Sequence, residues 1–161
     1  MNDHPYKEII QKVLKREGGA TVTNDSDDPG GLTKYGISKR SNPDLDIENL
    51  TLETAVEIYK ERYWKPSKAD YLNLELAEAY FDMVVNSGRV RAVKILQEAC
   101  NHKKKKLKVD GMIGPNTIKA CKSLEASRYR AFRLKYYVEL VLRKPVLMKY
   151  YYGWYKRAIH A

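Results

Sequence analysis

Ile9, Ile10, Val13 and Leu14 recur at the spacing of one helical face, which predicts a helix opening at Asp3 and Pro5, an N-cap and an early helical proline. Glu17 lies four residues after Val13 and three after Leu14, so it extends the same stripe before Gly18 and Gly19 end the helix. Thr51 caps a second helix that runs through Tyr63 and Trp64 and is halted by Pro66. Leu76, Ala77, Tyr80, Phe81 and Val84 give a third, central helix its buried face, ending at Gly88. Val90, Val93, Leu96 and Cys100 continue the pattern, and Pro115 opens a short helix containing Ile118 and Cys121 after a turn at Asp110 and Gly111. Tyr129, Phe132, Tyr136 and Leu140 mark a longer helix that finishes before Pro145. The aromatic tail from Val146 to His160 is expected as two helical pieces around Gly153. The departure from this helical pattern is Leu32 to Ser38, short, β-branched and aromatic, which reads as a strand or hairpin arm leaving the turn from Asn24 to Gly31. The expected fold class is therefore mainly α, with a small β-hairpin near residues 20–40.

That hairpin and the end of the first helix hold the chemistry. Glu17 points toward an apolar surface, and partial desolvation favours the protonated carboxyl that a general acid requires. The turn that follows carries Asp25, Asp27 and Asp28 beside Pro29, Gly30 and Gly31. Their order does not match a calcium loop with glycine at its sixth position and glutamate at its twelfth, so no metal is assigned. Glycoside hydrolysis needs two carboxyl groups in different environments, and a stiff arm holding an Asp and the Thr33 hydroxyl near Glu17 makes a place for an attacking water. The alternatives are a helix-terminal glutamate with a glycine cap and a solvated acidic turn.

The same residues resemble a known family. Glu17-Gly18-Gly19, then Asp28-Pro29-Gly30-Gly31, Thr33 and Tyr35-Gly36-Ile37-Ser38, are similar to the glycoside hydrolase family 108 lysozymes, phage or prophage endolysin-like N-acetylmuramidases, some described as secretion activators. Phe81 to Gly88 with Ala92 to Gln97 resembles a second family block, and Val109-Asp110-Gly111-Met112-Ile113-Gly114-Pro115-Asn116-Thr117 a third. Phe132, Arg133, Tyr136, Tyr137, Gly153, Trp154 and Arg157 look like the family's peptidoglycan-domain signature. The resemblance implies a lysozyme-like helical fold in two segments packed into one globule, a catalytic one over residues 5–88 and a peptidoglycan-binding one over residues 89–160. It implies hydrolysis of the β-1,4 glycan bond of peptidoglycan with Glu17 as catalytic acid and Asp28 and Thr33 positioning water. Asp25 and Asp27 compete with Asp28, and the choice between inversion and retention stays open. Tyr35 and Asn86 are candidate substrate-binding residues; Asn86, just before Ser87 and Gly88, is equally a plain helix terminator.

Charge divides the chain. Residues 1–88 hold 11 Lys and Arg against 16 Asp and Glu, and residues 89–161 hold 19 against 4, giving the net +10. A half this basic favours a polyanion, and the motifs favour an anionic cell wall over nucleic acid; a basic nucleic-acid binder and a non-catalytic peptidoglycan-binding or secretion-activator protein are the other two readings. Lys103 to Lys106 form a charge run that also reads as a solvated loop. No apolar run approaches the roughly 20 residues needed to cross a bilayer. The N-terminus lacks the pattern of a signal peptide, so the expectation is a protein made in the bacterial cytoplasm, and the resemblance implies that it reaches the wall by a holin-like pore or dedicated export; a monomer is expected. Cys100 and Cys121 fit no zinc spacing and are expected reduced and buried, with pairing after export left open; no cofactor is implied. Of thirteen tyrosines, most are expected as packing residues and the rest as a glycan-stacking surface, with Trp154 and Arg157 pinning the tail.

Overall fold

The computed structural model describes residues 5–24 and 31–161, which form two compact units meeting in sequence at Pro66 and Ser67. Among the described residues the architecture is mainly α with one two-stranded antiparallel sheet, as the periodicity predicts.

In the first unit, α1 (Tyr6–Arg16) buries Ile9, Ile10, Val13 and Leu14. Pro5 itself stands at the N-cap with φ −72°; Asp3 lies outside the described residues. The helix stops at Glu17, where Gly18 and Gly19 turn into the left-handed region (φ +101° and +59°) and Gly19 N–H donates back to the Leu14 carbonyl at 3.0 Å. Strands β1 (Thr33–Lys34) and β2 (Ile37–Ser38) pair Thr33 with Ser38 and Lys34 with Ile37. Tyr35 and Gly36 between them have φ +54° and +71°, the two-residue turn whose twist matches the strands. Leu32 to Ser38 is thus a hairpin in itself, and through the antiparallel bridge of Thr33 to Thr23 it is also an arm paired with the segment before it.

Helix α2 (Leu52–Tyr59) is capped by Thr51, whose Oγ1 accepts from Thr54 N at 3.2 Å. The helix does not halt before Pro66. It widens into a π turn (Lys60–Trp64), in which Lys65 N–H bonds the Lys60 carbonyl, and restarts as the single turn α3 (Lys65–Ser67). Pro66 is tolerated there because a first helical turn has no intrahelical acceptor for its missing N–H. Trp64 of the π turn is 1% exposed and lies 6.5 Å from the Tyr6 ring.

The second unit is built on α4 (Leu74–Ser87), α5 (Arg89–His102), α6 (Pro115–Cys121), α7 (Ala126–Arg143) and α8 (Met148–His160). Asn73 caps α4 by accepting from Leu76 N at 3.0 Å, and Gly88 at φ +83° ends it. Leu76, Ala77, Ala79, Tyr80, Phe81 and Met83 are fully buried, so α4 is central as expected, with α5 and α7 packed on it. The face of α5 differs from expectation. Val90 is 54% exposed at the start of the helix, beside the loop at Gly111, and the core begins at Ala92 and Val93. On α7 the buried line is Ala126, Tyr129, Arg133, Tyr137 and Val141, while Phe132, Tyr136 and Leu140 are half-buried. Helix α8 runs unbroken through Gly153, correcting the two-piece expectation. Trp154 stacks on Tyr137 at 5.1 Å and Ala158 is fully buried, contacts that outweigh the roughly 1 kcal/mol a mid-helix glycine costs.

An ion cluster ties these helices together. Asp82 and Arg133 have no solvent exposure, with Arg133 Nη2 in ionic contact with Asp82 Oδ2 at 2.7 Å, and Arg157 of α8 donates Nε to both Asp82 oxygens at 3.2 and 3.0 Å. Burial alone pushes the Asp82 carboxyl up, but the attraction of Arg133 and the hydrogen bond from Arg157 outweigh it and hold the group below the usual carboxylate range. Cys100 and Cys121 are free and buried, their sulfurs 3.7 Å apart. Tyr59, Tyr80, Tyr129 and Tyr137 are core and Tyr6, Tyr35, Tyr136 and Tyr151 half-buried, whereas Tyr63, Tyr71, Tyr150, Tyr152 and Tyr155 are exposed.

Candidate active site

Glu17 is placed by two backbone devices, the left-handed glycines behind it and the hairpin turn in front. Tyr35 N–H donates to the Gly19 carbonyl at 3.0 Å, fastening the turn to the end of α1. The Tyr59 hydroxyl, from α2, donates to the Tyr35 carbonyl at 3.1 Å and fixes the other side of the turn. Thr23 and Thr33 exchange both backbone bonds, at 2.9 and 2.8 Å, tying the hairpin to the strand-like segment before it.

These contacts leave Gly36 no room for a side chain. A Cβ there would stand 2.8 Å from the Tyr59 hydroxyl and 3.2 Å from the Glu17 Cβ. The Glu17 stem therefore rests against the glycine of the turn, and the residue is half-buried. The arrangement gives a carboxyl on a rigid support at the rim of the unit, which suits transfer of a proton to a bound group.

Thr33 lies on β1 and donates its hydroxyl proton to the Gly31 carbonyl at 2.9 Å, so its oxygen is oriented to accept a hydrogen bond, as a positioned water would require. Tyr35 presents a half-buried ring, with both its backbone groups used by the turn. Asp25, Asp27 and Asp28 lie outside the described residues. Asn86 belongs to the second unit, on the last turn of α4, where its Oδ1 accepts from the Tyr137 hydroxyl at 2.8 Å and from the Ser87 hydroxyl at 3.1 Å. Sequence reasoning passed over Tyr59. It sits 24 residues from the carbonyl it holds, and nothing local distinguishes it from any core tyrosine at a helix end.

A separate concavity lies within the second unit. Its volume is about 410 Å³, and Gln97, Lys106, Lys108, Asp110, Asn116 and Thr117 are in its wall. The turn at Asp110 and Gly111 is locked by Gln97, whose Nε2 donates to Asp110 Oδ1 at 2.9 Å and to the Met112 carbonyl at 3.1 Å while its Oε1 accepts from Gly111 N at 3.0 Å. The hydrogen bonds from Gln97 and from Met112 N hold the Asp110 carboxyl below its usual range.

Residues 10–88, containing Glu17 and the hairpin, match the family model described as Glycosyl hydrolase 108. The chain belongs to that family. Residues 91–159 match a second model, Predicted Peptidoglycan domain, so this family 108 chain carries a glycosidase segment joined to one whose partner is peptidoglycan. Among solved structures it is similar to SagA of Brucella abortus, at 26% identity and a TM-score of 0.72, over 96% of this chain and 90% of that one. No curated protein sequence matches it. The boundary between the two matched segments lies near Gly88, whereas the compact units divide at Pro66 and Ser67; α4 belongs to the glycosidase segment in sequence and to the second unit in structure.

Proposed function

We propose that the protein is a lysozyme-type N-acetylmuramidase in which Glu17 donates the proton that releases the leaving sugar. The observation that carries this reading is the seating of Glu17 against the Gly36 turn, inside the segment that matches the glycosidase family. In the reaction, the Glu17 carboxyl protonates the glycosidic oxygen as the bond to the anomeric carbon breaks. Water then completes the new C–O bond, directly or after a covalent intermediate, and its proton passes to a carboxylate. Asp28 is the proposed partner, with Asp25 and Asp27 as its competitors, and Thr33 accepts a hydrogen bond from the water.

The test is mass spectrometry of muropeptides released from isolated sacculi. Products ending in a reducing N-acetylmuramic acid are expected from the native protein and none from Glu17→Gln, whose melting temperature should stay within a few degrees because the swap keeps shape and removes the titrating proton. Asp28→Asn should cost more activity than Asp25→Asn or Asp27→Asn. Binding of sacculi without any released product would make the chain a wall-binding or secretion-assisting protein and end the hydrolase reading.

A further inference from the structure

Helix α8 has two apolar faces, and the protein covers one of them. Trp154 and Ala158 turn inward, Trp154 onto Tyr137 and Ala158 into complete burial. Met148, Tyr152, Tyr155 and Ile159 follow at i, i+4, i+7 and i+11, a single stripe on a helix. They are 62, 71, 41 and 39% exposed. The stripe runs on into an apolar groove of about 240 Å³ between the end of α7 and the start of α8, lined by Val138, Val141, Leu142, Met148 and Tyr151; Leu142 is 75% exposed.

Charge indicates what this surface fits. After Glu139 the chain has no Asp or Glu, while Arg143, Lys144, Lys149 and Lys156 are exposed and Arg157 is turned inward to Asp82. Lys149 and Lys156 stand one i, i+7 step apart beside the stripe, their Nζ atoms 5.0 Å from the Tyr150 ring centre and 5.6 Å from that of Tyr152. Apolar and aromatic residues flanked by lysines whose ammonium groups lie beside the rings are suited to a boundary between acyl chains and anionic headgroups. Tyr152 and Tyr155 offer rings and hydroxyls that a glycan can use, but the neighbouring Leu142, Val146 and Met148 give its other hydroxyls no hydrogen-bonding atoms beyond a weak thioether. A second copy would bring the same four cations against themselves.

We propose that this face docks on an anionic lipid bilayer, with α8 lying in the plane of the interface, its stripe at the acyl boundary and Arg143, Lys144, Lys149 and Lys156 against the phosphates. The inference is independent of the hydrolase reading. It is tested by co-sedimentation of the full-length protein with vesicles of phosphatidylcholine alone and of phosphatidylcholine mixed with phosphatidylglycerol. Binding is expected to the mixed vesicles only. It should weaken roughly tenfold or more in Lys149→Gln/Lys156→Gln, each cation near an anionic surface contributing about a factor of five, and comparably in Met148→Gln/Tyr152→Gln. All four side chains are exposed, so the melts of both variants should match the native one. Absence of vesicle binding, equal binding to the neutral vesicles, or binding that ignores the stripe substitution overturns the proposal. So does a dimer, seen by light scattering, that Met148→Gln/Tyr152→Gln dissolves.

Discussion

Gly36 is where a single hydrogen atom matters most. Its φ of +71° disfavours an L side chain, and its missing Cβ is the space in which the Tyr59 hydroxyl and the Glu17 stem meet. Gly36→Ala is expected to cost roughly 1–3 kcal/mol, from the left-handed conformation and from displaced neighbours. If Glu17 is the acid, activity should fall further than stability does, by one to two orders of magnitude in kcat with a smaller change in KM, since a displaced proton donor affects the chemical step before it affects binding. Urea melts and steady-state rates on the same preparation check both halves; a variant with lowered stability and native kcat would detach the turn from the chemistry. At this scale much was legible in sequence. The Glu-Gly-Gly triplet showed where the helix ends, a local backbone requirement, whereas the turn at Tyr35 and Gly36 is hidden in a stretch whose β-branched and aromatic composition reads as one strand. Tyr59 was not legible, because its role is a contact made across 24 residues.

Among the elements, α4, α7 and α8 meet at Asp82, so the acid behaves as a bolt through three helices. Its pKa is depressed in the folded state, so the stability it contributes is present above the unfolded value near 3.9 and is lost as pH falls through the lower folded value. Asp82→Asn leaves Arg133 buried without its counter-charge and should cost about 3–5 kcal/mol at neutral pH. Because acid removes the same charge from the native protein, the gap between the two denaturation midpoints should narrow when measured below about pH 4. A gap that stays constant would show that packing of the carboxyl, not its charge, holds the helices. Helix positions are written in short-range pattern and most are legible in the sequence, as is the cap at Thr51. The π turn at Lys60 and the continuity of α8 through Gly153 are not. Both are local departures from intrinsic preference that tertiary contacts of Trp64 and Trp154 sustain.

Over the whole molecule, charge separation was plain from the sequence, but the sequence could not say which lysines are available to a partner. Lys103 is not part of a uniform run. Its Nζ donates to the Ser123 carbonyl at 2.5 Å and to Glu125 Oε1 at 2.8 Å, and that bond, with a second from Arg128, draws the Glu125 carboxyl down to about 2. Lys104, Lys105 and Lys106 are exposed, with Lys104 at φ +61° turning the chain away from the end of α5. If the +15 half holds an anionic wall by long-range attraction, changing Lys104, Lys105 and Lys106 together to Gln should weaken sacculus binding severalfold at low salt. The difference should fade as the screening length shortens from about 10 Å at 0.1 M toward about 3 Å at 1 M. Turnover of a short soluble glycan should hardly change, since these lysines serve attraction and not the cleavage step. Lys103→Gln should differ from the triple variant by lowering the melting temperature while leaving most wall affinity in place, because its charge is already neutralised locally by Glu125. Wall binding that survives the triple change at every salt concentration would make the three lysines a solvated loop and move the site of attraction to the remaining cations of the second unit.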